Sequence, residues 1–494
     1  MKWGIYNVIF ALIYPFLLPG FLVRMIRRGG YAARMGDRFA LYPDGLFGKN
    51  RPLFDSHKSP TTSCQPPSTI CHLPSTNFIW IHAVSVGEVQ VAGQLMREWR
   101  MVEPDVRFCF STTSSTGWMM AQKELASLAA LSPQPPPSTS TSDILIYNPL
   151  DFPNFVKSAL RTVRPRAIVL TESEIWPNFI LQAKRMGIPL FLINARVSDR
   201  SAPRYRLARF FFRDVLSAFT RIFAQSDLDK ARLVAAGAPA EKVDVTGSFK
   251  FDVAHRNEAK EQELREWIAK GNGEQGTGNR ILLGGSTWPG EDEVLLRIYK
   301  KLLTSTVRLG PSPSPLLVLA PRHFEKADAV EANICKYGFS CVRRSREAKV
   351  RDEGEQRSQT STVRLGPSPS PKVFLADTTG ELMGLYGIAD VVFIGKSLCA
   401  HGSQNMIEPC LCGKPTFVGP YTENFRPVMS DLLAANAVRQ VKDEVELEKG
   451  ILEEFRFLTS GQESASPLGE RAKAAVENRR GVVARCVTAI RSGL

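Results

Sequence analysis

Two hydrophobic patterns alternate along this chain. Short runs of continuous apolar residues are each followed by a stretch in which apolar positions recur every three or four residues. FIWIHAVS (78–85) precedes VQVAGQLMREW (89–99), and VRFCFST (106–112) precedes TGWMMAQKELASL (116–128). ILIYN (144–148), AIVLTES (167–173), PLFLINA (189–195) and RIFAQS (221–226) continue the rhythm, with helical patterns such as FPNFVKSALRTV (152–163) and LDKARLVAAG (228–237) between them. KVDVTGS (242–248) closes this half. The rhythm restarts at RILLGGS (280–286) and runs through EDEVLLRIYKKLL (291–303), LLVLAP (316–321), KVFLAD (372–377), ADVVFI (389–394) and PTFVG (415–419). Unbroken apolar strands alternating with amphipathic helices imply parallel sheets covered on both faces. The pattern predicts an α/β protein of two doubly wound, Rossmann-like domains facing a cleft. Ligands of such sheets sit beyond the carboxyl ends of the strands, so the residues just after each apolar run are the candidates for chemistry.

Four stretches break the rhythm. Residues 49–75 are rich in Ser, Thr and Pro, and SPQPPPSTSTS (132–142) is of low complexity. TSTVRLGPSPSP occurs twice without change, at 304–315 and 360–371. Ser-Pro alternation suits neither helix nor ladder, so all four read as surface insertions. At the other end of the hydropathy scale, residues 3–23 carry no charge, are broken by Pro15 and Pro19, and are followed by Arg24, Arg27, Arg28, Arg34 and Arg38. That length suffices to span a bilayer, and the arginines favour keeping the body of the protein cytoplasmic. An interfacial helix is equally compatible, and a core helix is the plain alternative. The expected organisation is an anchor and basic flank at 1–40 and a first domain at 41–249, with insertions at 49–75 and 132–142. A connection at 250–278 and a second domain at 279–494, with insertions at 304–315 and 349–371, follow.

Composition adds the kind of partner. A net charge of +14 over 494 residues points to anionic partners: nucleic acid, an anionic membrane face or a phosphorylated substrate. Nine cysteines without a C-x-x-C pair, and six histidines, read as reduced thiols rather than a zinc site.

Candidate chemistry follows the strand ends. Glu88 falls where the first strand turns into its helix, after Gly87, and the helix N-terminus favours its ionised form. A common first-turn glutamate is the plain alternative. Glu172 and Glu174 stand two apart at the end of AIVLTES. If extended they point to opposite faces, so one of them enters the cleft; capping before Pro177 is the plain reading. Arg196 comes directly after PLFLINA and leads an arginine-rich run (196–213) with Phe210, Phe211 and Phe212, which suits phosphate and a membrane face. Ser286 and Thr287 form a turn suited to cradle a phosphate, and Arg322 and His323 close the next strand. After ADVVFI, the loop GKSLCAHGSQN (395–405) leads into a helix start at 405–408, offering free backbone N–H groups to a phosphate, and Glu408 can accept ribose hydroxyls. Asp227 and Asp229 formally match a D-x-D metal motif, but after RIFAQS they read as a helix cap formed by Ser226 or Asp227. No metal and no cofactor are expected.

The run GKSLCAHGSQNMIEPCLCGKPTFVGPYTENF (395–425), with HAVSVGEVQ, TESEIWPN, NAR, GSFK and APRH in order before it, resembles the Kdo (3-deoxy-D-manno-octulosonic acid) transferases of lipopolysaccharide synthesis. The resemblance covers nearly the whole chain outside the insertions. It implies a GT-B fold and inverting transfer of Kdo from CMP-Kdo to a lipid A precursor, lipid IVA, on the cytoplasmic face of the inner membrane. It further implies Glu88 as catalytic base and activity at Glu172, with Glu174 and Arg196 toward the acceptor. Lys250, Ser286, Thr287, Arg322, His323, Ser397, Gly402, Asn405 and Glu408 are expected on the nucleotide sugar. The expected partners are CMP-Kdo, the phosphorylated lipid and the membrane, with no nucleic acid and a monomer or weak oligomer. The chain departs from the family pattern at Lys396, where a glycine is expected, and at Ser403 and Gln404 before Asn405. These departures fall on the geometry around the donor sugar. Two other readings stay open: a GT-B enzyme using a UDP-sugar, and a basic membrane-associated nucleic-acid-binding protein, which accounts for the charge alone.

Overall fold

The computed structural model describes residues 32–43, 46–47, 78–130, 143–253, 256–272, 279–304, 314–346, 371–460 and 466–494, with single positions between 3 and 20. The chain divides into two compact units, Met1–Phe249 with Gly481–Leu494, and Lys250–Arg480. Each holds one seven-stranded sheet in which every pair is parallel.

The first sheet contains β1 (Phe78–His82), β2 (Arg107–Thr112), β3 (Ile144–Tyr147), β4 (Ala167–Thr171), β5 (Leu190–Ala195), β6 (Arg221–Ala224) and β7 (Val243–Val245), in the order β3-β2-β1-β4-β5-β6-β7. The two faces of these strands feed separate cores, as a side-chain period of two requires. Trp80, Ile168, Leu170 and Leu192 pack on one side. Ile79, Ile81, Phe108, Val169 and Ile193 pack on the other. The strand order reverses between β1 and β4, whose register pairs Trp80 with Ile168 and His82 with Leu170.

The second sheet contains β8 (Ile281–Thr287), β9 (Leu316–Pro321), β10 (Ser340–Arg343), β11 (Lys372–Leu375), β12 (Val391–Ile394), β13 (Thr416–Val418) and β14 (Arg439–Gln440), in the order β10-β11-β9-β8-β12-β13-β14. Here the reversal lies between β8 and β12, with Leu283 opposite Val392 and Gly285 opposite Ile394. The edge strands β10 and β14 have only half-buried side chains, so no apolar run announces them.

Three expectations about domain limits are corrected. The last helix, Val482–Ser492, belongs to the first unit, not the second. Val482, Val483, Cys486, Val487 and Ile490 complete the core face of Ile79 and Ile81. Residues 250–278 are not simply a connection: the helix Glu258–Asn272 buries Leu264, Trp267 and Ile268 in the core of the second unit. Residues 32–40, expected in the basic flank, fall within the first unit. They form a 3-10 turn in which Asp37 and Arg38 are buried. The Tyr147 N–H donates to Asp37 at 3.1 Å, and the Arg38 guanidinium lies 4.6 Å over the Tyr147 ring.

The anchor expected at 3–23, and the insertions at 49–75, 132–142, 304–315 and 349–371, lie largely outside the described residues. Among the described residues no helix is long and apolar enough to cross a membrane. Trp3, Tyr6 and Asn7 pack on the body of the first unit. Trp3 and Tyr6 lie 4.5 and 5.5 Å from the Phe211 ring, and Asn7 accepts from Asn178 Nδ2 at 2.8 Å. The Tyr6 hydroxyl donates to Asp151, which also accepts from the Asn178 and Phe179 N–H groups at the start of the helix Pro177–Arg185. Burial raises the Asp151 carboxyl from 3.8 to about 7. A raised folded-state value means that the neutral carboxyl is the stabilising form. Its contribution is full below 3.8 and is lost as pH rises through about 7. Thermal melts across that window should therefore fall less steeply with pH in Asp151→Asn than in the wild type; parallel profiles would refute the assignment.

Candidate active site

At the first reversal point, β1 runs through Ala83 and Val84 into the helix Val86–Val102. Ser85 caps that helix, its Oγ accepting the Glu88 N–H at 3.2 Å. Glu88 answers as a capping-box residue: one carboxylate oxygen accepts from Ser85 Oγ at 2.8 Å, the other from the Val84 N–H at 3.0 Å. The second oxygen also lies 3.1 Å from Thr171 Oγ1, at the end of β4. The plain capping reading of Glu88 is thus true as geometry, and the same bonds fix its carboxylate at the point where ligands of this topology bind. Gly87 does not make the turn. It sits inside the helix, and a Cβ there would meet nothing within 4 Å among the described residues.

Glu172 follows Thr171 with φ +49. Its carboxylate takes the Arg196 Nε at 3.0 Å and the Asn194 Nδ2 at 3.3 Å. Asn194 itself has φ +52, where β5 shifts register against β6, and its side-chain oxygen accepts the Phe249 N–H. Glu174 turns the other way. Its Oε2 accepts from Trp176 Nε1 at 2.9 Å and lies 3.7 Å from Nε2 of the fully buried His82. The extended conformation behind the opposite-faces expectation does not occur, because the chain turns after Thr171. Both carboxylates stay at the strand ends, Glu172 toward β5 and Glu174 toward β1.

Of Asp227 and Asp229, the first is exposed and the second is spent inside the fold. Ser226 caps the helix Asp227–Ala235, and the buried Asp229 accepts from the Val197 N–H at 2.9 Å and from Ser226 Oγ at 2.5 Å.

In the second unit the loop after β12 differs from expectation. The N–H groups of Lys396, Ser397, Leu398 and Cys399, expected to be free for phosphate, all donate to the carboxylate of Glu291, at 2.8, 3.0, 3.0 and 3.3 Å. Glu291 opens the helix Glu291–Thr304, is fully buried and also accepts the Trp288 N–H. Ser397 is fully buried too: its hydroxyl donates to the Ile394 carbonyl and accepts the Gly419 N–H at 2.9 Å. It ties β12 to β13 and is withdrawn from the ligand set. The helix expected at 405–408 is one turn, Ile407–Leu411, and its first N–H is taken by Asn405 Oδ1. Asn405 Nδ2 also donates to Glu408 at 2.9 Å. Burial pushes the Glu408 carboxyl up, and the Asn405 bond partly offsets this.

The other expected ligands occupy the strand ends. Ser286 and Thr287 finish β8, Ser286 at φ +54. A Cβ on Gly395 would come within 2.2 Å of the Ser286 carbonyl oxygen, so the loop passes there only as glycine. Arg322 follows β9, exposed and with no side-chain partner among the described residues. His323 sets its ring 5.1 Å from Trp288 and pairs with Glu325. Gly402 has φ +118 against the Asn424 amide, and Lys250 places its ammonium 4.2 Å over Phe425. Of the non-glycine residues with positive φ, Glu172, Asn194, Ser286 and Lys396 lie at or just past strand ends. Such residues cost about 1–3 kcal/mol each and collect at functional sites. Sequence reasoning missed Thr171, Glu291 and Trp288, since a threonine, a first-turn glutamate and a tryptophan carry no signal of their own.

The family model described as "3-Deoxy-D-manno-octulosonic-acid transferase (kdotransferase)" matches residues 33–253. A 3-deoxy-D-manno-octulosonic acid transferase of Bordetella pertussis is 31% identical over 435 residues, 88% of each chain. The chain belongs to the Kdo transferase family. A second Kdo transferase, from Haemophilus influenzae, is 28% identical over 97% of this chain and 96% of its own length. Among solved structures, the UDP complex of Anabaena Alr3699/HepE matches 84% of this chain and 100% of its own with a TM-score of 0.51 at 12% identity. That likeness shows the fold, the pair of Rossmann-like units of GT-B enzymes. This Kdo transferase is therefore a glycosyltransferase whose candidate residues sit at or beyond the carboxyl ends of the strands of each sheet.

Proposed function

We propose that this Kdo transferase takes Kdo from CMP-Kdo and delivers it, with inversion, to a hydroxyl of a phosphorylated lipid A precursor, lipid IVA, at the cytoplasmic face of the inner membrane. The observation that carries the reading is the Glu88 carboxylate. Ser85 Oγ and the Val84 N–H donate to it, Thr171 Oγ1 shares its proton between it and the His82 carbonyl, and no cation pairs with it among the described residues, whereas Glu172 is committed to Arg196. A carboxylate accepting from neutral groups keeps a lone pair and its charge for an incoming hydroxyl proton. In the step, Glu88 takes that proton, the acceptor oxygen bonds to the anomeric carbon of Kdo, and the bond from that carbon to the CMP phosphate breaks. The Glu172–Arg196 pair, with Glu174, orients the acceptor.

On the donor side Arg322, His323 and Lys250 supply positive charge, Gly402 leaves room for the sugar, and Asn405 with Glu408 meets the ribose. The backbone of 396–399 is not part of this set, because Glu291 occupies it. Electrostatic stabilisation of the leaving phosphate therefore falls to side-chain cations. Attachment to the membrane is supported by Leu207 and Phe210, exposed on the same segment as Arg204, Arg206 and Arg209, and by exposed Leu12 and Phe16 in the N-terminal segment. Exposed apolar side chains interleaved with arginines suit an anionic lipid face.

Product mass spectrometry tests the proposal directly. Incubation with CMP-Kdo and a tetra-acylated acceptor should add the mass of Kdo, and calorimetry should find CMP bound more tightly than UMP. Turnover with a UDP-sugar and none with CMP-Kdo would overturn it in favour of the uridine-using alternative.

A further inference from the structure

Lys396 stands at the reversal point of the second sheet, two residues past β12, with φ +57. That region of backbone space favours glycine, and a lysine there is strained. The strain is not relieved by an ion pair. Among the described residues no carboxylate pairs with the ammonium, which lies 4.8 Å over the Trp288 indole. The Lys396 N–H is held by Glu291 at 2.8 Å, so the backbone is pinned while the side chain is left to the site. The side chain passes beside Gly402, whose added Cβ would lie 3.7 Å from Lys396 Cε. Beneath the ammonium, Trp288 Nε1 is buried and has no acceptor among the described residues, and the His323 ring sits against the same indole.

A strained, pinned cation without a counter-charge among the described residues, above a buried donor without an acceptor among them, lacks one thing: an anion. We infer that Lys396 is an anion-binding residue of the donor site, taking a negatively charged group of the nucleotide sugar. This rests on the reading of the second unit as the CMP-Kdo site. The neighbouring N–H groups that would otherwise meet a phosphate are spent on Glu291, so a side-chain cation is the group left to do it. The donor offers two anions, the phosphate and the carboxylate of the sugar acid. A lysine ammonium, a point charge on a flexible stem, can serve either.

The test sets stability against binding. In Lys396→Gly the left-handed backbone is no longer strained, so the melting temperature should rise or hold. Affinity for the donor should fall about tenfold, the size of one charge-assisted hydrogen bond. Lys396→Met keeps the bulk and removes the charge, and should bind as weakly as the glycine variant; Lys396→Arg should restore most of the affinity. Calorimetry with CMP and the KM for CMP-Kdo separate the two anions. Loss in both assigns Lys396 to the phosphate, and loss in KM alone, with CMP affinity unchanged, assigns it to the sugar carboxylate. Unchanged CMP affinity and unchanged KM in both Lys396→Gly and Lys396→Met would overturn the inference. Failure of the wild type to bind CMP is a different result, and would instead overturn the reading of the unit as the donor site.

Discussion

Glu88→Gln should fold and bind CMP as the wild type does and lose turnover by at least about a hundredfold, the lower end of what a positioned base contributes. Gln keeps the shape of the side chain and can still accept from Ser85 Oγ or the Val84 N–H, the bonds that cap the helix Val86–Val102. What it loses is the basic oxygen. The control lies in the same cluster. Thr171→Val removes the hydroxyl 3.1 Å from Glu88 and leaves the carboxylate in place. It should lower turnover by less than Glu88→Gln does, because the base remains and only its orientation is loosened. A Glu88→Gln enzyme that keeps most of its rate, beside an inactive Glu172→Gln or Glu174→Gln, would move the base to the neighbouring strand end. Added EDTA should leave the wild-type rate intact. Its loss would reopen Asp227 and Asp229 as a metal motif despite the bonds that hold Asp229.

The second large effect is expected on donor binding. Arg322→Ala and Glu408→Ala should each weaken CMP affinity by about 1.5–3 kcal/mol, roughly ten- to 150-fold, with kcat at saturating donor changed far less. Arg322 is exposed and has no side-chain partner among the described residues, so its removal costs the fold little and a bound phosphate much. Glu408 differs. It is partly buried, burial pushes its carboxyl up, and Asn405 donates to one of its oxygens. Alanine there loses the ribose contact and also frees the Asn405 amide. Glu408→Gln is therefore the cleaner companion, keeping the volume while changing the acceptor. Donor affinity measured by calorimetry and unchanged in Arg322→Ala and in both Glu408 variants would place the nucleotide elsewhere in the unit.

The hydrophobic pattern alone determined the class of fold and the positions of most strands. A strand buried on both faces must be apolar at every position, and Ile79–Ile81, Ile168–Leu170 and Val391–Ile394 are fully buried as that pattern required. The rule that ligands meet the carboxyl ends of parallel strands then led to Glu88, Glu172, Arg196, Ser286 and Arg322 before any contact was known. The edge strands β10 and β14 escaped because their side chains are half in water, and a half-wet strand carries no apolar run. Only the tertiary structure decided which polar groups were already spent. The N–H of Ser397 meets Glu291 across 106 residues of sequence, and the Glu88 carboxylate meets Thr171 across 83. It also decided that Val482–Ser492 returns to the first unit, covering Ile79 and Ile81. Periodicity specifies what kind of element forms and which face it buries. Which distant partner covers that face, and which carboxylate reaches a loop's donors first, is set by packing between elements, and no local pattern carries that information.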